Sequence, residues 1–130
     1  MKPRLHHFSY TIQPKTLEIT LELFKQLGCT ISYQPDKGRW AMIEQKPLHM
    51  DIQIIEVSDE PLSLDTKTNT HIGFVSSNPI SDIELLKQWA KSNNMNFRQG
   101  SWSNQEHWFD LPDIFINFVI EIMQEKVTES

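Results

Sequence analysis

The stretch His71-Ile72-Gly73-Phe74-Val75-Ser76-Ser77-Asn78-Pro79-Ile80-Ser81-Asp82-Ile83-Glu84-Leu85-Leu86-Lys87-Gln88-Trp89-Ala90 reads as a short strand opening on histidine, a polar turn, and an amphipathic helix. Ser81 with Glu84 has the pattern of a capping box, and Ile80 with Leu85 that of its hydrophobic staple. Ile83, Leu86, Trp89 and Ala90 form the apolar stripe, and Asn93-Asn94 marks the stop. The same order occurs earlier: His7-Phe8-Ser9-Tyr10-Thr11-Ile12, then Gln13-Pro14, then a second amphipathic helix closing at Gly28. A strand–turn–helix unit written twice predicts two copies of one module.

Working outward, both copies continue alike. After the first helix come β-prone runs at Thr30 to Tyr33, Arg39 to Glu44 and Met50 to Val57, with turn chemistry at Pro35-Asp36-Lys37-Gly38 and at Lys46-Pro47. After the second come Phe97 to Trp102, His107 to Leu111 and Phe115 to Met123. Each half is therefore β-α-β-β-β. The expected fold is α+β: one domain over residues 1–130, with module one about 5–57, a polar linker 58–70 and module two about 71–124. A half of roughly 60 residues buries a marginal core alone, so the halves are expected to share an interface.

Composition excludes several classes. With 38% hydrophobic and 22% charged residues the chain is globular, and its most apolar stretch, Ile114 to Met123, is interrupted by Asn117 and Glu121. No membrane span is expected. The formal charge is −5 and the basic residues are scattered, so no stripe exists to neutralise nucleic-acid phosphates. The single cysteine, Cys29, has no internal partner for a bridge, and no apolar signal core follows Lys2 and Arg4, which together predict a cytoplasmic protein. Cys29 reads as small apolar filler at a helix end.

Parity gives candidate site residues. His7, Ser9 and Thr11 share one strand face, opposite Phe8, Tyr10 and Ile12; His71 and Gly73 lie opposite Ile72 and Phe74. In the fourth strand of each module one polar residue stands between two isoleucines: Gln53 in Ile52-Gln53-Ile54, and Glu121 in Ile120-Glu121-Ile122. If the isoleucines face the helix, Gln53 and Glu121 face the other way, with the histidines. His7 and Gln53 are 46 residues apart, His71 and Glu121 50 apart. Two imidazoles, an amide oxygen and one carboxylate suit a divalent metal such as zinc, nickel, cobalt or manganese. The single anionic donor leaves net positive charge for a bidentate oxygen substrate and its enediolate. Gln53 also reads as an inward amide that needs only a hydrogen-bond partner.

These features resemble the vicinal oxygen chelate superfamily, which includes glyoxalases, dioxygenases and bleomycin-resistance proteins. The resemblance covers about Leu5 to Gln124. It implies a curled mixed sheet around a cleft, a homodimer, and metal ligands at His7, Gln53, His71 and Glu121. The ligand set is most similar to methylmalonyl-CoA epimerases. Where that pattern carries a glutamate base before Ala-Met, this chain has Trp40 before Ala41-Met42, and an indole cannot accept a proton from carbon. Glu121 and Glu44 are then the candidate proton carriers, and Trp40, Met42, Ser9 and His107, or Trp108 if that residue faces inward instead, the candidate substrate contacts. His49 and His107 are spare metal candidates.

The expected function is a glyoxalase-like lyase or isomerase acting on a small substrate with vicinal oxygens. The alternative is a metal-free protein that sequesters a drug on the same scaffold.

Overall fold

The computed structural model describes residues 2–48 and 50–125. His49 lies outside the described residues. The chain divides between Glu60 and Pro61 into two compact units.

The first unit contains β1 (His7–Ile12), α1 (Leu17–Gln26), β2 (Thr30–Tyr33), β3 (Trp40–Glu44) and β4 (Asp51–Glu56). They form a four-stranded mixed sheet in the order β1-β4-β3-β2, with β1 parallel to β4. Helix α1 buries Leu17, Leu21, Leu23 and Phe24; on the sheet, Ile12, Ala41, Ile43 and Ile54 are buried. The helix ends as the sequence requires: Gly28 takes φ +86°, and the Cys29 N–H donates to the Phe24 carbonyl. Burial pushes the Cys29 thiol up to about 11, which leaves it unreactive at neutral pH.

The start of α1 is secured from a distance. Thr16 makes no side-chain cap; instead the Leu17 N–H donates to Glu56 Oε2 at 2.9 Å. Arg39 donates to both Glu56 and Glu18, at 2.6–3.2 Å. Burial alone would raise the Glu56 carboxyl, but hydrogen bonds from Arg39 and from backbone N–H groups outweigh it and hold it below the ordinary carboxylate range. The Arg39 hydrogen bonds hold Glu18 low as well.

The second unit contains α2 (Leu64–Lys67), β5 (His71–Ser76), α3 (Pro79–Ser92), β6 (Arg98–Ser103), β7 (Glu106–Asp110) and β8 (Val119–Gln124), with its sheet in the order β5-β8-β7-β6. Each unit thus carries its own four-stranded mixed sheet, the α+β pattern of two β-α-β-β-β modules that the sequence predicts. Three local expectations change. Helix α3 begins at Pro79 and is capped by Asn78, whose side chain accepts from the Ser81 N–H, so Ser81 is inside the helix. Ile80 and Leu85 are consequently exposed and form no staple. Strand β8 begins at Val119, because Ile114, Phe115, Ile116 and Phe118 form a buried apolar turn, with Phe115 packed on Phe118 and Phe109.

The third change is in the polar segment 58–70, where α2 carries a fully buried Lys67. Its Nζ lies 2.7 Å from Asp110 Oδ1, and Asp110 also pairs with Arg98 at 2.6 Å. Burial pulls the Lys67 ammonium toward deprotonation and Asp110 pulls it back.

Two predictions follow from these networks. Glu56 and Glu18 stabilise the fold fully above the unfolded carboxylate value of about 4.3 and lose that contribution as pH falls through their depressed folded values. Arg39→Met should therefore lower the urea midpoint at pH 7 but change it little near pH 3; an equal deficit at both pH values would refute the linkage. Asp110→Ala strands a buried ammonium and should cost about 3–5 kcal/mol, whereas Lys67→Met leaves Asp110 its Arg98 partner and should cost less. Equal urea midpoints for the two variants would contradict the account.

Candidate functional site

Strand register places the candidate residues, and each unit is described in turn. In the first, Ser9 is opposite Gln53 and His7 opposite Asp51. Met42 is opposite Gln53, and Trp40 is opposite Ile55. Residues opposite one another share a face, so His7, Ser9, Trp40, Met42, Glu44 and Gln53 all project from the side away from α1. The parity expectation holds here. His7 is exposed, and its Nδ1 sits 3.0 Å from His6 Nδ1, with the rings edge to face. His6, although its parity puts it on the other face, thus touches the candidate ligand itself. Trp40 packs against Tyr33 at 5.5 Å. Glu44 opens onto a depression of about 500 Å³ that it shares with His6 and Asp51.

In the second unit, Gly73 is opposite Glu121 and Trp108 is opposite Glu121 on the other side. His71, Gly73, Trp108 and Glu121 therefore share the face away from α3. His71 Nε2 lies 3.6 Å from Glu121 Oε1, with the His71 side chain 38% exposed and that of Glu121 8%. Burial raises the Glu121 carboxyl above its ordinary range; His71 opposes this and Glu106 adds to it. A Cβ on Gly73 would stand 3.2 Å from Glu121 Oε1, so this glycine makes the room in which the carboxylate sits. Gly100 does the same for Trp108, whose ring a Cβ would meet at 2.4 Å. A glycine inside a strand is the sequence signal for such an approach. Trp102 stacks on His71 at 5.0 Å and stands 6.5 Å from Trp108, forming an aromatic row beside Glu121.

One expected contact is corrected. His107 is opposite Ile122, so it faces α3, and its Nε2 lies 3.1 Å from the Asn104 carbonyl. Trp108 takes the place on the Glu121 face. The register of β7 against β8 decides this, since neighbours in a strand point to opposite faces.

The donor chemistry of His71 and Glu121 fits a metal. His71 Nδ1 lies 3.4 Å from the Thr68 carbonyl, which can only accept, so the contact is a hydrogen bond when the ring hydrogen is on Nδ1. The Nε2 lone pair then points toward a carboxylate oxygen, an arrangement that a proton or a cation between them makes favourable. Ordinary zinc–donor lengths place two ligands of a tetrahedral centre about 3.4 Å apart, close to the spacing seen. Among the described residues, no group of three or more His, Cys, Asp or Glu side chains converges on one point. Nor is any helix there long and apolar enough to cross a membrane.

Neither a family model nor a curated protein sequence matches the chain. Solved structures do. A protein described as a glyoxalase from Bacillus halodurans aligns with TM-score 0.62 at 14% identity, covering 95% of this chain and 96% of that one. The fosfomycin resistance protein FosX from Listeria monocytogenes, complexed with Mn(II) and sulfate, aligns with TM-score 0.58 at 18% identity, covering 95% and 91%. TnmS3, an antibiotic binding protein from Streptomyces sp. CB03234, aligns with TM-score 0.58 at 14% identity, covering 95% and 96%. Aligned over nearly its full length with these structures, this chain has the glyoxalase-like α+β fold.

Proposed function

We propose that this protein is a divalent-metal-dependent enzyme of glyoxalase type, a lyase or isomerase acting on a small substrate with vicinal oxygens. The observation that carries the reading is the His71–Glu121 pair, an imidazole nitrogen set 3.6 Å from a buried carboxylate oxygen. In this reading His7, Gln53, His71 and Glu121 hold zinc, nickel, cobalt or manganese. The metal, when bound, polarises two substrate oxygens as a Lewis acid.

The remaining work falls to the chain itself. Glu121, which burial makes a stronger base when ionised, would take the proton from the carbon beside the substrate oxygens and return it as the resulting acid. Glu44, on the same face as Gln53, is the second proton carrier. Ser9, Trp40 and Met42 contact the substrate from the first sheet, and Trp102 and Trp108 exclude water on the second. The Mn(II) in the FosX structure supports metal use on this fold.

The alternative, a metal-free drug-binding protein, is favoured by the aromatic row His71–Trp102–Trp108 and by the likeness to an antibiotic binding protein. It predicts that a flat aromatic cation quenches tryptophan fluorescence equally with and without a chelator.

We further propose a cytoplasmic homodimer, since Leu5 and Phe8 leave apolar surface exposed at the start of the chain. Light scattering should give the mass of two chains; the mass of one would overturn this.

Metal binding is tested by thermal unfolding of chelator-treated protein. At a Co²⁺ or Ni²⁺ concentration 100 times its Kd, about 2.7 kcal/mol of stabilisation is expected. His71→Ala and Glu121→Gln should abolish it. Glu121→Gln should also stabilise the metal-free protein at pH 7, because a raised carboxyl penalises folding once pH exceeds the unfolded value. An unchanged melting temperature in every divalent metal would refute the enzyme reading.

A further inference from the structure

Lys67 is a buried titratable group that the proposed chemistry does not use. It is fully enclosed, although it lies in a polar segment on a helix of only four residues. A buried ion pair is weak evidence for stability, since well-packed apolar residues often serve as well. Its position invites another explanation. One residue after Lys67, the Thr68 carbonyl faces His71 Nδ1. Asp110, which Lys67 grips, stands in β7 two residues after Trp108, on the same face as Glu121. The Thr70 carbonyl accepts the Val119 N–H, and the Leu62 N–H donates to the Ile116 carbonyl, so the segment around α2 is tied to the start of β8 on both sides.

We propose that the buried Lys67–Asp110 pair is a positioning device for His71. It pins α2 to the second sheet so that the Thr68 carbonyl keeps the ring hydrogen on Nδ1 and leaves the Nε2 lone pair facing Glu121. Left to itself, a neutral histidine side chain favours the hydrogen on Nε2, which would block that lone pair. The partner of one ring nitrogen decides what the other can do. Arg98, which holds the other oxygen of Asp110 at 2.6 Å, keeps the carboxylate from turning away from Lys67. The backbone ties lie at Leu62 and Thr70, on either side of α2, whereas the ion pair is made from the helix itself, one residue before the Thr68 carbonyl. Lys67 is thus a positioning residue and touches neither substrate nor metal.

The use made of the lone pair rests on His71 being a metal ligand, but the positioning itself can be read without metal. The experiment is a long-range ¹H–¹⁵N spectrum of metal-free protein at about pH 8.5, well above the ordinary histidine pKa of ~6.5. In the parent protein His71 should show the Nδ1–H tautomer. In Lys67→Met its signals should move toward the Nε2–H tautomer, and Co²⁺ affinity should fall by about 10–100-fold, as for other outer-shell partners. Should Lys67→Met fold poorly, Lys67→Met/Asp110→Leu replaces the pair by apolar groups and gives the same readout. A pure Nδ1–H tautomer in the variants overturns the proposal. So does an Nε2–H tautomer in the parent. If the tautomer moves as expected but neither protein binds Co²⁺, positioning is supported and the metal reading fails.

Discussion

Everything at the site depends on the parallel pairing of the first and fourth strands within each module. Parallel pairing brings residues from opposite ends of a module side by side in register. Ser9 meets Gln53, and Gly73 meets Glu121. Because side chains alternate, the isoleucines flanking Gln53 and Glu121 bind the polar residue to the open face as firmly as they bind themselves to the helix. Moving Glu121 to the other face would require exposing Ile120 and Ile122, both almost fully buried, and placing a carboxylate among Ile72, Phe109 and α3. At roughly 1.5–3 kcal/mol for each buried aliphatic side chain, the core sets the direction of the site residues.

This dependence explains what the sequence made legible. The strand order, both helices and the faces of His7, Gln53, His71 and Glu121 follow from apolar periodicity, which records burial. Which of His107 and Trp108 faces Glu121 was open in the sequence, because both are amphipathic and only the register of β7 against β8 decides it. The start of α3 escaped because two overlapping caps, Asn78 and Ser81, are both chemically sound, and Pro79 in the first turn favours the earlier one. The run Ile114 to Phe118 looks like a strand because it is apolar, yet it is a turn buried among aromatic rings. Composition reports burial there and cannot report conformation. Helix α2 was least legible, since its burial rests on a lysine whose partner lies far along the chain in Asp110.

The two modules put the same pattern to different electrostatic use. In the first, the fourth-strand residue is an amide, and its neighbours His7 and Ser9 are exposed. Gln53 is neutral, so half-burying it costs little beyond its hydrogen bonds. In the second, the corresponding residue is a carboxylate in a nearly dry place, beside a histidine and with Glu106 adding like charge. Burying a charge without a full partner is costly, and a fold under no other demand would replace Glu121 by glutamine, as the first module has done.

Two further features of the second module point the same way. Gly73 gives up the packing of a side chain to leave room for the Glu121 carboxylate, and Gly100 does so for the Trp108 ring. Both choices weaken a strand, where glycine is a poor former. Lys67 and Asp110 bury a second pair of charges on this face where apolar residues would hold the fold as well. Destabilising choices that cluster on one face, each allowing a carboxylate, an imidazole or an aromatic ring its particular place, fit a site better than a core. The second module therefore carries the stronger mark of a site, a buried carboxylate beside an imidazole, whereas the first keeps neutral and exposed groups at the matching positions.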